Sequence, residues 1–450
     1  MKTIAFKLCL TAALSSLFLP PLNNNARGQN PQHFDVNDAA FLFPMPTTPD
    51  MVKELISGDD ALDSGSTIWP KEFFDQVIAF AKNDPAAKVG TATIDFPPEL
   101  EDLHNWKVAG IRVNPASLGG SDGMIAGLQK LIDAGKLPID APVVPGIRLV
   151  MQPVVVNGTK VTIHDYAAHV VFNQKAVKTG PELVASPKMQ SIVADLVALK
   201  KLVNTDGVQL GVHPGFAVPG FRDQVGRFLK KQLEQKDFDV VSFMGLQNIG
   251  FEPWIFFRVK RNGPATMTKT PIGGFLPGGP TAIKLAVLET PVVQPAPKPV
   301  EPAVIGIATA PLFPAGINLS DPVVPGATGA FKDIKLRDIP DYVANPERAN
   351  TINTDCISCH TETTRRTALG LERKPTDPVG FAYQVQDKTI SVLAEDLKPI
   401  APNPPRIAWN VRVFGWGVER GKIKPTIVQR GANEAIESAD FFNRVFFKQP

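Results

Sequence analysis

The sequence predicts an α+β protein: a largely antiparallel sheet domain with helices, then a proline-rich linker and a C-terminal mixed α/β region. Three observations carry this. Apolar residues alternate with the two-residue period of strands along Ile147 to Val156, Val161 to Phe172 and Phe238 to Leu246, and Asn157-Gly158 between the first two is a strong hairpin signal. Apolar residues recur at helical spacing over Asp122 to Lys136, Pro187 to Leu202 and Phe221 to Gln235. The resulting order of helix, strand pair, helix, helix and strand is that of an antiparallel sheet covered on one face.

Along the chain, residues 30 to 70 read as extended and loop-rich, followed by a helix at Pro70 to Lys82. The run Pro291 to Pro302 (PVVQPAPKPVEP) favours extended polyproline geometry and blocks both helix and central strand. It divides an expected domain over 29–290 from a region over 303–450, with 291–302 as the linker. Beyond it, Arg406 to Trp416 alternates with Ile407, Trp409, Val411 and Val413 on one face, as a strand does.

Composition narrows the class. The 450 residues include 43 prolines, about twice the usual share, yet a mean hydropathy of -0.01 and 20% charged residues describe a folded, loop-rich protein. The formal charge of +3 comes from Lys2, Lys7 and Arg27, so the rest of the chain is neutral, which argues against nucleic-acid binding. Lys2 and Lys7 precede the apolar run Leu8 to Leu19 in the order of a secretory signal, too short to span a bilayer. Ala26 and Gly28 allow cleavage before Gln29. Residues 1–28 are therefore read as a signal peptide, with no transmembrane anchor afterwards and export to the periplasm or cell envelope.

Of three cysteines one leaves with the signal, and the other two stand in Cys356-Ile357-Ser358-Cys359-His360. On one helical turn, two thiols three positions apart can each add to a haem vinyl group, while the next residue presents its imidazole to the iron. Asp355 can cap a helix that starts there, and Gly370 suits its end. A zinc site would need two further ligands, and a redox CxxC pair would want a strand and helix around it, which the local pattern lacks.

This string resembles the haem-attachment motif of c-type cytochromes. The resemblance covers five residues and implies one haem c per chain, thioethers at Cys356 and Cys359, and His360 as proximal iron ligand. Arg365 and Arg366, just beyond, are candidate partners for the haem propionates, although a solvated helix end explains them equally well. Phe381, Tyr383, Trp409, Phe414 and Trp416 are candidates to line the pocket.

The distal side departs from the family pattern. Small cytochromes c carry their distal methionine after the motif, but residues 361 to 450 contain neither Met nor His. The second ligand therefore returns from upstream, or Tyr383 or a lysine serves, or the iron is open. Weak upstream candidates are Met267, His213, Met244 and His169, each with ordinary core or surface packing as the blander explanation. Two protein ligands favour electron transfer, with a redox partner protein or complex; an open iron favours a peroxidase-like enzyme or a small-ligand binder. The chain carries no P-loop, GxSxG or HExxH string.

Overall fold

The computed structural model describes residues 33–83, 88–89, 92–93, 96–117, 138, 140–164, 166–208, 210–246, 254–270, 305–308, 344, 346, 360, 414–419 and 422–447. In chain order its elements are α1 (Val36–Ala39), β1 (Ala40–Leu42), α2 (Pro49–Lys53), α3 (Lys71–Asn83), β2 (Lys88–Val89), β3 (Ala92–Thr93), β4 (Trp106–Asn114), β5 (Pro142–Val143) and β6 (Gly146–Asn157). There follow β7 (Lys160–Ile163), β8 (Ala167–Asn173), β9 (Val177–Lys178), α4 (Pro181–Ala185), α5 (Pro187–Lys200) and α6 (Phe221–Gln232). The last are β10 (Phe238–Leu246), β11 (Trp254–Arg261), β12 (Met267–Thr270), β13 (Ile305–Ala308), β14 (Phe414–Glu419), β15 (Lys422–Ile427) and α7 (Gln429–Val445).

The fold is α+β, built on one antiparallel sheet in the order β1-β4-β6-β8-β10-β11-β12, with β7 added to β6 and β13 to β11. Two-residue alternation gives the sheet two different faces. On the first, Phe41, Ile111, Leu149, Val170, Val241 and Val259 lie side by side in register and are all buried. Helix α3 covers this row because Phe73, Phe74, Val77, Ile78 and Ala81 fall on one side of it, and Phe73 stacks on Phe238 with ring centres 4.7 Å apart. Helices α5 and α6 bury Met189, Ile192, Leu196, Val225 and Leu229 in the same core.

The second face is more polar. Its rows run Gly110, Val150, His169, Ser242, Arg258 and, beside it, Arg112, Arg148, Val171, Val240, Lys260. The expectation of a sheet covered on one face alone is corrected here. Strand β14 crosses the second face, packing Phe414 with Leu42, Val150 and Ile427, and α7 adds Ala432, Ala435 and Ile436 to that cluster. The crossing is close because Gly110 has no side chain: a Cβ there would come 2.5 Å from the Phe414 ring.

Gln152, fully buried on β6, holds this crossing. Its amide nitrogen donates to the Trp416 carbonyl at 2.7 Å and its Oε1 accepts from the Trp416 N–H at 2.6 Å, as a neighbouring strand would. Trp416 in turn donates from its indole to the Phe43 carbonyl at 3.0 Å. Phe414 and Trp416, expected as pocket-lining aromatics, are thus packed core residues. Asn443 repeats the device at the other end of α7, exchanging hydrogen bonds of 2.7 and 2.9 Å with the Phe34 backbone.

Other expectations are refined. The strand read over Val161 to Phe172 is two strands, β7 and β8: Ile163 faces Val154 and Ala168 faces Met151, so two extra residues bulge out between them. The hairpin turn stands at Gly158, whose φ is 63°. Residues 30–70 hold the short helices α1 and α2. Among the described C-terminal residues, β13 joins the main sheet, and Trp416, Phe441 and Phe442 belong to its main cluster. The stretch expected as a linker at 291–302 lies outside the described residues, as do the expected signal segment 1–28, the helix over 122–136 and most of the strand over 406–416. Among the described residues no helix is long and apolar enough to cross a membrane.

Replacing Gln152 by Leu keeps the volume but strands two buried backbone groups of Trp416. A stability loss of about 2–4 kcal/mol is expected, read as a lower urea midpoint at unchanged slope.

Candidate metal centre

Strand β8 lies inside the sheet, hydrogen-bonded to β6 on one side and β10 on the other. A backbone held by ladders on both edges fixes the Cα positions of its side chains. His169 stands on this strand between Val150 and Ser242, on the second face, and is 7% exposed. Its first-face neighbours Ala168 and Val170 point into the apolar core.

His360, the histidine of the Cys356–His360 string, is helical and half-buried. Its imidazole lies against that of His169, with ring centres 5.6 Å apart and planes inclined by 31°. The expected proximal ligand and one of the four weak upstream candidates are thereby brought together from segments far apart in the chain. Cys356, Cys359, Arg365 and Arg366 lie outside the described residues.

The other three candidates are placed differently. Met244, also on β10 and 3% exposed, shares the second face but sits one register row from His169, opposite Ala167. Met267 opens the edge strand β12; its N–H donates to Gln76 at 2.8 Å and its side chain packs on the main core. His213 belongs to the first-face core. Its ring is sandwiched between Phe41 and Phe221, each 4.8 Å away, and its Nδ1 accepts from the Gly215 N–H at 3.0 Å, capping a short 3-10 helix. Burial pushes its pKa down to about 3, against a hydrogen bond with the Asn37 backbone that acts the other way.

Charge on the second face is concentrated in arginines. Arg258 shares the register row of His169, two strands away and 9% exposed, and Arg148 lies in the adjoining row. At the α7 end, Glu434 pairs with Arg112 and, at 2.7 Å, with Arg430. Burial alone would favour the neutral acid, but Arg112, Arg430 and Arg148 outweigh it and hold Glu434 well below the usual carboxylate range. Sequence reasoning passed over Arg148 and Arg258; the signal for Arg258 was a lone cation inside the apolar run WIFF-R-V.

The chemistry of the donors tests the fit to a metal. Among the described residues no group of three or more His, Cys, Asp or Glu is placed to hold a bare ion. Two imidazoles complement instead an iron whose four equatorial donors come from a porphyrin. With metal–nitrogen bonds of about 2.0–2.1 Å and each ring centre about 1 Å behind its nitrogen, opposed imidazoles have centres roughly 6 Å apart. The observed 5.6 Å is about half an ångström short of that. In donor chemistry and approximate separation the two imidazoles fit the group.

No protein-family model, curated protein or solved structure matches this chain.

The His213 environment has a pH consequence. The unfolded chain takes a proton at this position near pH 6.5, whereas the folded chain resists until about pH 3. The stability it contributes is present above 6.5 and lost as pH falls, at up to about 1.4 kcal/mol per unit. In His213→Phe the aromatic stack survives without the titration, so the fall in urea midpoint between about pH 6 and pH 4 becomes shallower than in the parent.

Proposed function

We propose that the chain is an exported, single-haem c-type cytochrome-like protein whose role is electron transfer. The observation that carries this reading is the docking of the His360 imidazole, the last residue of the attachment string, on a buried histidine of a central strand. A motif met by chance on a surface segment has no reason to bring its imidazole to such a place. Cys356 and Cys359 would hold the haem through thioethers, with His360 as proximal ligand. Bound there, haem supplies a one-electron iron couple.

The chain's own residues set the conditions for that couple. On this otherwise more polar face, Val150, Val171, Val240 and Met244 are buried apolar neighbours of His169, which exclude water and lower the local dielectric there. Arg148 and Arg258 add positive charge to the same face, a complement for haem propionates beside Arg365 and Arg366. Among the described residues the helix-covered first face is filled mainly by apolar side chains. Electron transfer needs a redox partner protein or complex, and the large sheet domain supplies the surface for one.

Converting Cys356 and Cys359 together to Ala removes both thioether positions. The matured parent is expected to show covalent haem on a denaturing gel and a visible spectrum that changes on reduction, and the double variant to lose the gel-stained haem. Equal covalent haem in parent and variant refutes the assignment.

A further inference from the structure

We propose that His169 is the second axial ligand of the iron, so that the haem is held between His360 and the central strand β8. The inference rests on the haem reading above and goes beyond it, because that reading leaves the distal side open.

Four observations converge on His169. Its ring already lies against that of His360, at a separation close to that of imidazoles on opposite sides of one metal. It stands on a strand paired along both edges, so its Cα is set before any ligand arrives and little ordering entropy is lost on ligation. It is 7% exposed, the burial of a group recruited to the interior rather than left at the surface. Residues 361–450 hold no Met or His, and β8 supplies a histidine from upstream.

The rivals are weaker by position. The His213 nitrogens are engaged with the Gly215 and Asn37 backbone, within the core of the opposite face. Met267 packs into the main core from an edge strand. Met244 is the serious rival, since it shares the face of His169 and lies one register row away.

Ligation by His169 and His360 has a definite chemical meaning. Imidazoles from His169 and His360 would together hold a bound haem iron on both sides, supplying a one-electron couple that needs no ligand exchange and leaves small molecules no vacant position. A histidine in place of the usual methionine also leaves the potential lower than a His/Met pair would.

The test uses the full-length, haem-loaded protein as matured on export. The parent is expected to be low-spin in both oxidation states and indifferent to CO when reduced. His169→Ala should keep the same covalent haem on a denaturing gel, turn high-spin, bind CO, and return to a low-spin spectrum when imidazole is added. His169→Met, which retains a ligand and most of the volume, should stay low-spin with a raised potential, and it reads the same question if the Ala variant fails to fold. Met244→Leu should stay low-spin and closed to CO. A haem-loaded His169→Ala protein that stays low-spin and excludes CO overturns the proposal, as does a Met244→Leu protein whose iron opens. A parent without covalent haem overturns the haem reading itself, and the ligand assignment with it, so the two failures are told apart by the gel.

Discussion

The exchange of two hydrogen bonds between the Gln152 amide and the Trp416 backbone is the constraint on which the C-terminal half of the architecture depends. A carboxamide has the same donor and acceptor as a peptide unit, so a buried Gln can end a ladder where no strand continues it. With Trp416 fixed, β14 crosses Gly110 closely enough for Phe414 to fill the space a side chain would occupy. Helix α7 then follows along the Arg112 row. The second face is covered at its β4 and β6 side, and the central row that carries His169 remains for His360.

The two faces of the sheet follow different physical rules. The first is closed by apolar burial, which is non-directional and tolerates many arrangements of equal volume. The second is closed by groups that need specific partners: Gln152 with Trp416, and Glu434 with two arginines. Buried polar groups are costly unless every one is matched, so this face has far fewer acceptable packings.

Much of this was legible in the sequence, for reasons that differ between elements. Strand β10 stands over Phe238–Leu246 as its alternation predicts, and α3 and α5 lie within a residue or two of their apolar periodicity. Helix α7 was missed because Gln429, Arg430, Asn433 and Glu437 are buried polar residues that mask its amphipathic pattern. The spacing Ala432, Ala435, Ile436, Ala439 and Phe442 was the available signal. The break between β7 and β8 was hidden because a bulge changes register without changing the alternation on either side of it. At the site, His360 was legible because the chemistry of its string is local. His169 was not distinguishable from Met244 or His213, since which of them lies against His360 is set by strand register, a relation between segments that spacing along the chain does not encode.

The bond pair between Asn443 and Phe34 joins residues 409 positions apart. A chain made from its N-terminus presents Phe34 well before Asn443. The sheet strands, mostly neighbours in sequence order, can pair as they emerge, but this seam stays open until the chain has been made as far as Asn443. Closing the core at Phe34 is therefore among the late steps of folding.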